Sequence, residues 1–63
     1  MTMIKAAPLA SKRTKSRIAE RGPWFEIEET RVNIDGIGTG VLLRQVGGDW
    51  FGWLPVDEVD ICE

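Results

Sequence analysis

Sixty-three residues with no histidine, no tyrosine and one cysteine set narrow limits on what this chain can do. The commonest general base and transition-metal ligand are missing, and Cys62 alone can form neither an internal disulfide nor a cysteine-rich zinc site. The net charge of −2 hides a division: residues 1–22 carry six basic side chains against Glu20 alone, a net +5, while residues 23–63 carry two against nine acids, a net −7.

A chain this short forms one domain and buries only roughly 60% of its unfolded surface. Its apolar content of 43% is that of a globular protein. No apolar run reaches the roughly 20 residues that a membrane helix needs. Lys5 and Pro8 interrupt the N-terminal apolar stretch and Lys12-Arg13 follow it, the wrong charge order for a signal peptide. These features, with a single free cysteine, predict a cytoplasmic protein.

The charge division predicts a basic arm over residues 1–22 and a folded domain over 23–63, with the boundary at Gly22-Pro23. In the arm Ile18 is the only bulky anchor of a possible helix around 14–21, so the arm is expected to be flexible or marginally helical. After Pro23 the pattern is β. Trp24 to Glu29 alternates, with Phe25 and Ile27 on one face, and a separate run, Arg31 to Asp35, places Val32 and Ile34 together. Asp35-Gly36 and Gly38-Thr39-Gly40 are turn chemistry. Thr39 to Val46 and Asp49 to Leu54 read as strands joined by a two-residue hairpin at Gly47-Gly48. Pro55 to Glu58 suits one 3₁₀ turn, and Val59 to Ile61 a last strand.

The hairpin fixes a register: Arg44 faces Phe51, Leu43 faces Gly52, Leu42 faces Trp53 and Val41 faces Leu54. Val41, Leu43, Gln45, Trp50 and Leu54 then share one face, and Leu42, Arg44, Phe51 and Trp53 the other. Both faces are apolar, and a small barrel has one interior. The second face is therefore either covered by the N-terminal segment or used for binding. Five short strands with tight turns predict an all-β fold, a small closed barrel.

Gly52-Trp53-Leu54-Pro55-Val56-Asp57-Glu58-Val59 resembles the closing motif of SH3-like domains, Gly-aromatic-aliphatic-Pro-x-Asn-Tyr-Val. Arg31-Val32 and Gly38-Thr39-Gly40-Val41-Leu42 are similar to the strand-turn-strand segment of many bacterial SH3-like barrels. The resemblance covers residues 23–63 and implies a five-stranded SH3-like β-barrel with Leu54 and Val59 in the core, Trp53 outward and Pro55 at the edge of the ligand surface. Asp57-Glu58 stand where the family has Asn-Tyr, and no tyrosine lines a polyproline groove, so capture of Pro-rich peptides is not implied. Type II dihydrofolate reductases are also short SH3-like barrels. Their active-site run Val-Gln-Ile-Tyr-Pro corresponds to Phe51-Gly52-Trp53-Leu54-Pro55, where only the proline matches, and that activity is not expected.

The expectation is a non-catalytic binding module, with no cofactor, no metal and no small-molecule substrate. It would engage a protein partner or a second copy of itself through Leu42, Phe51, Trp53, Pro55 and Glu58, since aromatic residues are the usual interface anchors. The alternative is a nucleic-acid binder using Lys12, Arg13, Lys15, Arg17 and Arg21, whose binding would weaken steeply with salt. A third idea is an acidic surface of Glu26, Glu28, Glu29, Asp57, Glu58 and Asp60 that mimics phosphates, as small phage-type inhibitors do. Gly36-x-Gly38-x-Gly40 is no dinucleotide fingerprint, because no helix follows it.

Overall fold

The computed structural model describes residues 1–62. In chain order it contains β1 (Thr2–Ala6), α1 (Lys12–Arg21), β2 (Trp24–Ile34), β3 (Gly38–Gln45), β4 (Phe51–Pro55), a 3₁₀ turn (Val56–Glu58) and β5 (Val59–Cys62). The strands make one antiparallel five-stranded sheet in the order β4-β3-β2-β1-β5. The all-β expectation therefore holds, with one short helix added. No helix among the described residues is long and apolar enough to cross a membrane.

Of the two states expected for the arm, flexible or marginally helical, the helix is present, and a strand precedes it. Thr2–Ala6 is an interior strand, paired with β2 through Met3↔Trp24 and with β5 through Met3↔Cys62 to Ala6↔Val59. Ile4 is fully buried and joins Ile18, Phe25, Val41, Leu43, Leu54 and Val59 in a single core, so the separation into arm and domain at Gly22-Pro23 fails. Five strands were expected, but their membership differs. The runs 24–29 and 31–35 merge into the single long strand β2, and β1 supplies the fifth. A bulge at Glu28 allows this merger: Ile27 faces Leu43 but Glu29 faces Leu42, so one residue is left over and the strand bends. Beyond a second register shift between Arg31 and Ile34, Val32 is 63% exposed, so the expected Val32–Ile34 apolar face does not form.

Helix α1 begins two residues earlier than the expected span, at Lys12. Ser11 is its N-cap, in extended conformation, and its hydroxyl accepts from the Thr14 N–H at 3.3 Å. Thr14 and Ile18 lie one turn apart and are its buried residues, so a stripe of only two side chains seats the helix on the core. The Gly22 N–H closes the other end on the Ile18 carbonyl at 2.7 Å, and Pro23 cannot extend it.

The β3–β4 register is the one read from the sequence, from Val41↔Leu54 to Arg44↔Phe51. Val41, Leu43 and Leu54 accordingly turn into the core, while Leu42, Phe51 and Trp53 turn out. Trp50 packs edge-on to Phe25, ring centres 6.2 Å apart. The two-residue hairpin expected at Gly47-Gly48 would take a type I′ turn with positive φ at both glycines, but Gly47 alone has it, at 86°.

Two outcomes follow. Ile4→Ala is expected to cost about 2–5 kcal/mol, as Leu54→Ala should, because each removes a buried large side chain. Urea titrations followed by circular dichroism measure this, and a midpoint unchanged by Ile4→Ala would place β1 outside the cooperative fold. Gly47→Val should destabilise by about 1–2 kcal/mol through strain at positive φ, with the matching Gly48 substitution free of that penalty.

Candidate functional site

Positions of the expected interface residues follow from the strand register. Leu42 and Trp53 are cross-strand partners and both half-buried. Phe51 sits two residues before Trp53 on the same face and is 66% exposed, one of the most exposed large apolar side chains of the sheet. Pro55 faces Gly40. Gly40 is required here: a Cβ on it would lie 2.9 Å from the Ile34 side chain, 3.2 Å from that of Ile37 and 3.4 Å from the Trp53 ring. Ile34, Ile37 and Trp53 close over this position because it has no side chain.

Trp53, Pro55 and Glu58 meet at a cleft of about 170 Å³ between the start of α1 and the sheet. Ser11, Arg13 and Thr14 form one wall, and Ile37, Trp53, Leu54, Pro55 and Glu58 the other. Phe51 lies outside the cleft, further along β4, beside Arg44. The expected set is thus divided between a cleft and the open sheet face next to it, with Leu42 joining the two.

Glu58 is turned to its own chain. Its Oε1 accepts from the Ser11 N–H and from the Thr14 hydroxyl, each at 2.8 Å. The Glu58 carbonyl also accepts from the Ala7 N–H at 2.9 Å. The Ser11 amide and then the Thr14 hydroxyl stabilise the anion, so the carboxyl is held below the usual glutamate range. Thr14, 2% exposed, needs this partner because a buried hydroxyl left alone is costly.

Part of the charge is spent in ion pairs. Glu28 binds Arg44 at 2.8 Å, Glu29 binds Arg31 at 2.6 Å, and Glu26 meets the N-terminal ammonium at 3.2 Å. Of the six acids considered as a phosphate mimic, these three and Glu58 are therefore engaged within the chain, which leaves Asp57 and Asp60. The Arg31 guanidinium also stacks over Trp53, 5.3 Å from the ring centre, and shields part of it. The basic set divides as well. Lys12, Arg13 and Lys15 are exposed. Arg17 lies over Trp50 at 5.5 Å and pairs with Glu20 at 3.8 Å, while Arg21 buries its Nε without a partner.

Sequence reasoning missed Ser11, Thr14, Arg13 and Ile37 as cleft residues. Ser11 ahead of a basic, Ile-anchored helix carried a readable N-cap signal; nothing local to Arg13 or Ile37 did. A second, wider concavity of about 520 Å³ is lined by Met1, Thr2, Met3, Trp24 and Cys62.

No protein-family model, curated protein or solved structure matches the chain.

The hydrogen bonds to Glu58 make a pH test. Its folded pKa lies below the unfolded value, about 4.3, so its contribution is complete above that value and is lost as pH falls through the folded one. Glu58→Gln should therefore lower the melting temperature at pH 7, with the deficit against the parent shrinking as the pH is brought down past 4.3 or so. An equal deficit at all pH values would assign the effect to packing.

Proposed function

We propose that the chain is a non-catalytic binding module that engages a protein partner, or a second copy of itself, through the outer face of β3 and β4. One observation carries the reading. Phe51 stands 66% exposed on a sheet face that also presents Leu42 and Trp53, while the opposite face is filled by the core. An aromatic side chain presents roughly 150–250 Å² and burial is worth about 25 cal/mol per Å², so docking Phe51 on a partner would contribute several kcal/mol. Arg44, Glu28, Arg31 and Glu29 pair around this patch, an apolar centre with a charged rim as in many interfaces.

The frame is proposed to be an SH3-like barrel. Its support is the closing motif Gly52-Trp53-Leu54-Pro55 followed by the 3₁₀ turn and β5, and a strand order in which β5 returns to β1 while β2, β3 and β4 form a meander. The non-catalytic reading is supported by the lack of histidine and tyrosine, and a reducing, cytoplasmic setting by the single free cysteine.

Phe51→Ser is expected to leave the melting temperature within a degree or two and to reduce self-association or partner capture sharply, because this side chain has little folded-state contact to lose. Trp53→Ser should weaken binding too but at a cost in stability, since the ring packs at Gly40 and under Arg31. Sedimentation and pull-down, run beside melts, separate these effects. Unchanged association in both variants would remove the outer face as the binding surface.

A further inference from the structure

We infer that Asp35-Gly36 is a self-modification site, where the aspartate converts through a succinimide to isoaspartate while the protein stays folded. The inference goes beyond the proposed binding role and does not rest on it.

Local chemistry is the first observation. An aspartate carboxyl is open to attack by the main-chain nitrogen of the next residue, and that residue's side chain is the usual obstacle. The chain has four aspartates and one asparagine. Asn33 precedes Ile34, Asp49 precedes Trp50, Asp57 precedes Glu58 and Asp60 precedes Ile61. Asp35 alone precedes a glycine, which has no Cβ to block the approach.

The turn supplies the second observation. Ile34 to Ile37 close a β-turn through the Ile37 N–H, which donates to the Ile34 carbonyl at 3.1 Å. Of the two central residues only Gly36 has positive φ, at 80°, the type II arrangement. That arrangement leaves the attacking nitrogen free: among the described residues the Gly36 N–H has no backbone acceptor. Asp35 and Gly36 are both exposed. No hydrogen bond or ion pair among the described residues holds the Asp35 carboxylate. Nothing lies within 4 Å of where a Gly36 Cβ would stand, so no neighbour obstructs ring closure. An exposed tip of this kind also opens locally at little cost, which lets the backbone reach the geometry of attack.

The reaction needs only water. The Gly36 nitrogen forms a bond to Asp35 Cγ, the Cγ–O bond of the protonated carboxyl breaks, and the oxygen leaves as water with the amide proton. Water then opens the ring. Addition at Cγ restores aspartate, and addition at the main-chain carbonyl leaves the chain linked through Cγ. The mass is unchanged and nothing is oxidised or reduced.

The altered link adds one carbon to the main chain between Ile34 and Ile37. Their side chains close over Gly40, 2.9 Å and 3.2 Å from its Cβ position, with the Trp53 ring at 3.4 Å. Gly36 and Ile37 also line the cleft that Trp53 shares. Lengthening the turn therefore reaches Trp53.

The full chain, kept folded, is incubated for weeks at body temperature in mildly acidic buffer, because the carboxyl leaves as water only from its protonated form. Labelling by an isoaspartate-specific methyltransferase and electron-transfer fragmentation then locate the product. Isoaspartate is expected at position 35 without change of mass, and is expected to be absent from positions 49, 57 and 60. Asp35→Glu, whose carboxyl must close a larger ring, should abolish the labelling and keep the parent's melting temperature. The isomerised chain, separated by chromatography, should melt below the parent and shift the tryptophan emission. Product confined to a urea-unfolded control would overturn the inference, as would equal accumulation at the other aspartates. An isomerised chain with the parent's emission would overturn the link to Trp53.

Discussion

The inner face of the β2–β3–β4 meander carries Phe25, Val41, Leu43 and Leu54, all buried, and residues 23–62 have only Val59 and part of Trp50 with which to cover it. Ile4 and Ile18 supply the remainder. Without them a strand and a helix's worth of apolar cover would be missing from a chain that is already near the lower size limit for an autonomous fold. The position of β1 between β2 and β5 follows from this need: it brings Ile4 over Phe25 and carries Val59 of β5 into the same core. The whole chain is committed to covering one face, which leaves the other face of β3 and β4 to solvent or to a partner.

That commitment also explains the distribution of charge. A segment that must be both strand and helix against the core can hold its cations only on outward positions. Lys5 points away from Ile4 and pairs in register with Asp60, and the basic residues of α1 surround a buried stripe of just Thr14 and Ile18. Glu28 and Glu29 of β2 and the arginines of β2 and β3 neutralise one another around Phe51 and Trp53. The first turns of α1 have no such neutralisation, and the imbalance there is local, not a property of the net charge.

Legibility in the sequence followed the range of the interactions involved. The β3–β4 register could be read because Gly47-Gly48 and alternating apolar residues specify a local hairpin, and a one-residue slip would exchange its faces. Trp53, Pro55 and Glu58 lie close together in the chain, so their meeting at the cleft needs only the end of β4 and the 3₁₀ turn. Strand β1 was not. Thr2–Ala6 has one bulky apolar residue on its inner side and a lysine beside it, and its strand character comes from two long-range partners. The bulge at Glu28 was hidden for the same reason, since Glu28-Glu29 is as compatible with a strand end as with a bend. Arg13 and Ser11 reach the cleft only because β1 and the Ala7–Ser11 segment carry α1 across to the 3₁₀ turn.

Glu58 ties these levels together. Its carbonyl holds the Ala7 N–H as the chain leaves β1, and its carboxylate holds Ser11 and Thr14 as the chain enters α1. One residue of the 3₁₀ turn thus sets where the helix starts relative to Trp53 and Pro55, and so sets the width of the cleft and the position of Arg13. The Glu58 carboxylate thus performs a task internal to the fold. The cleft and the packing of the N-terminal segment therefore share a single fastening, and any ligand that presses on the α1 wall acts on the same hydrogen bonds that seat the helix on the core.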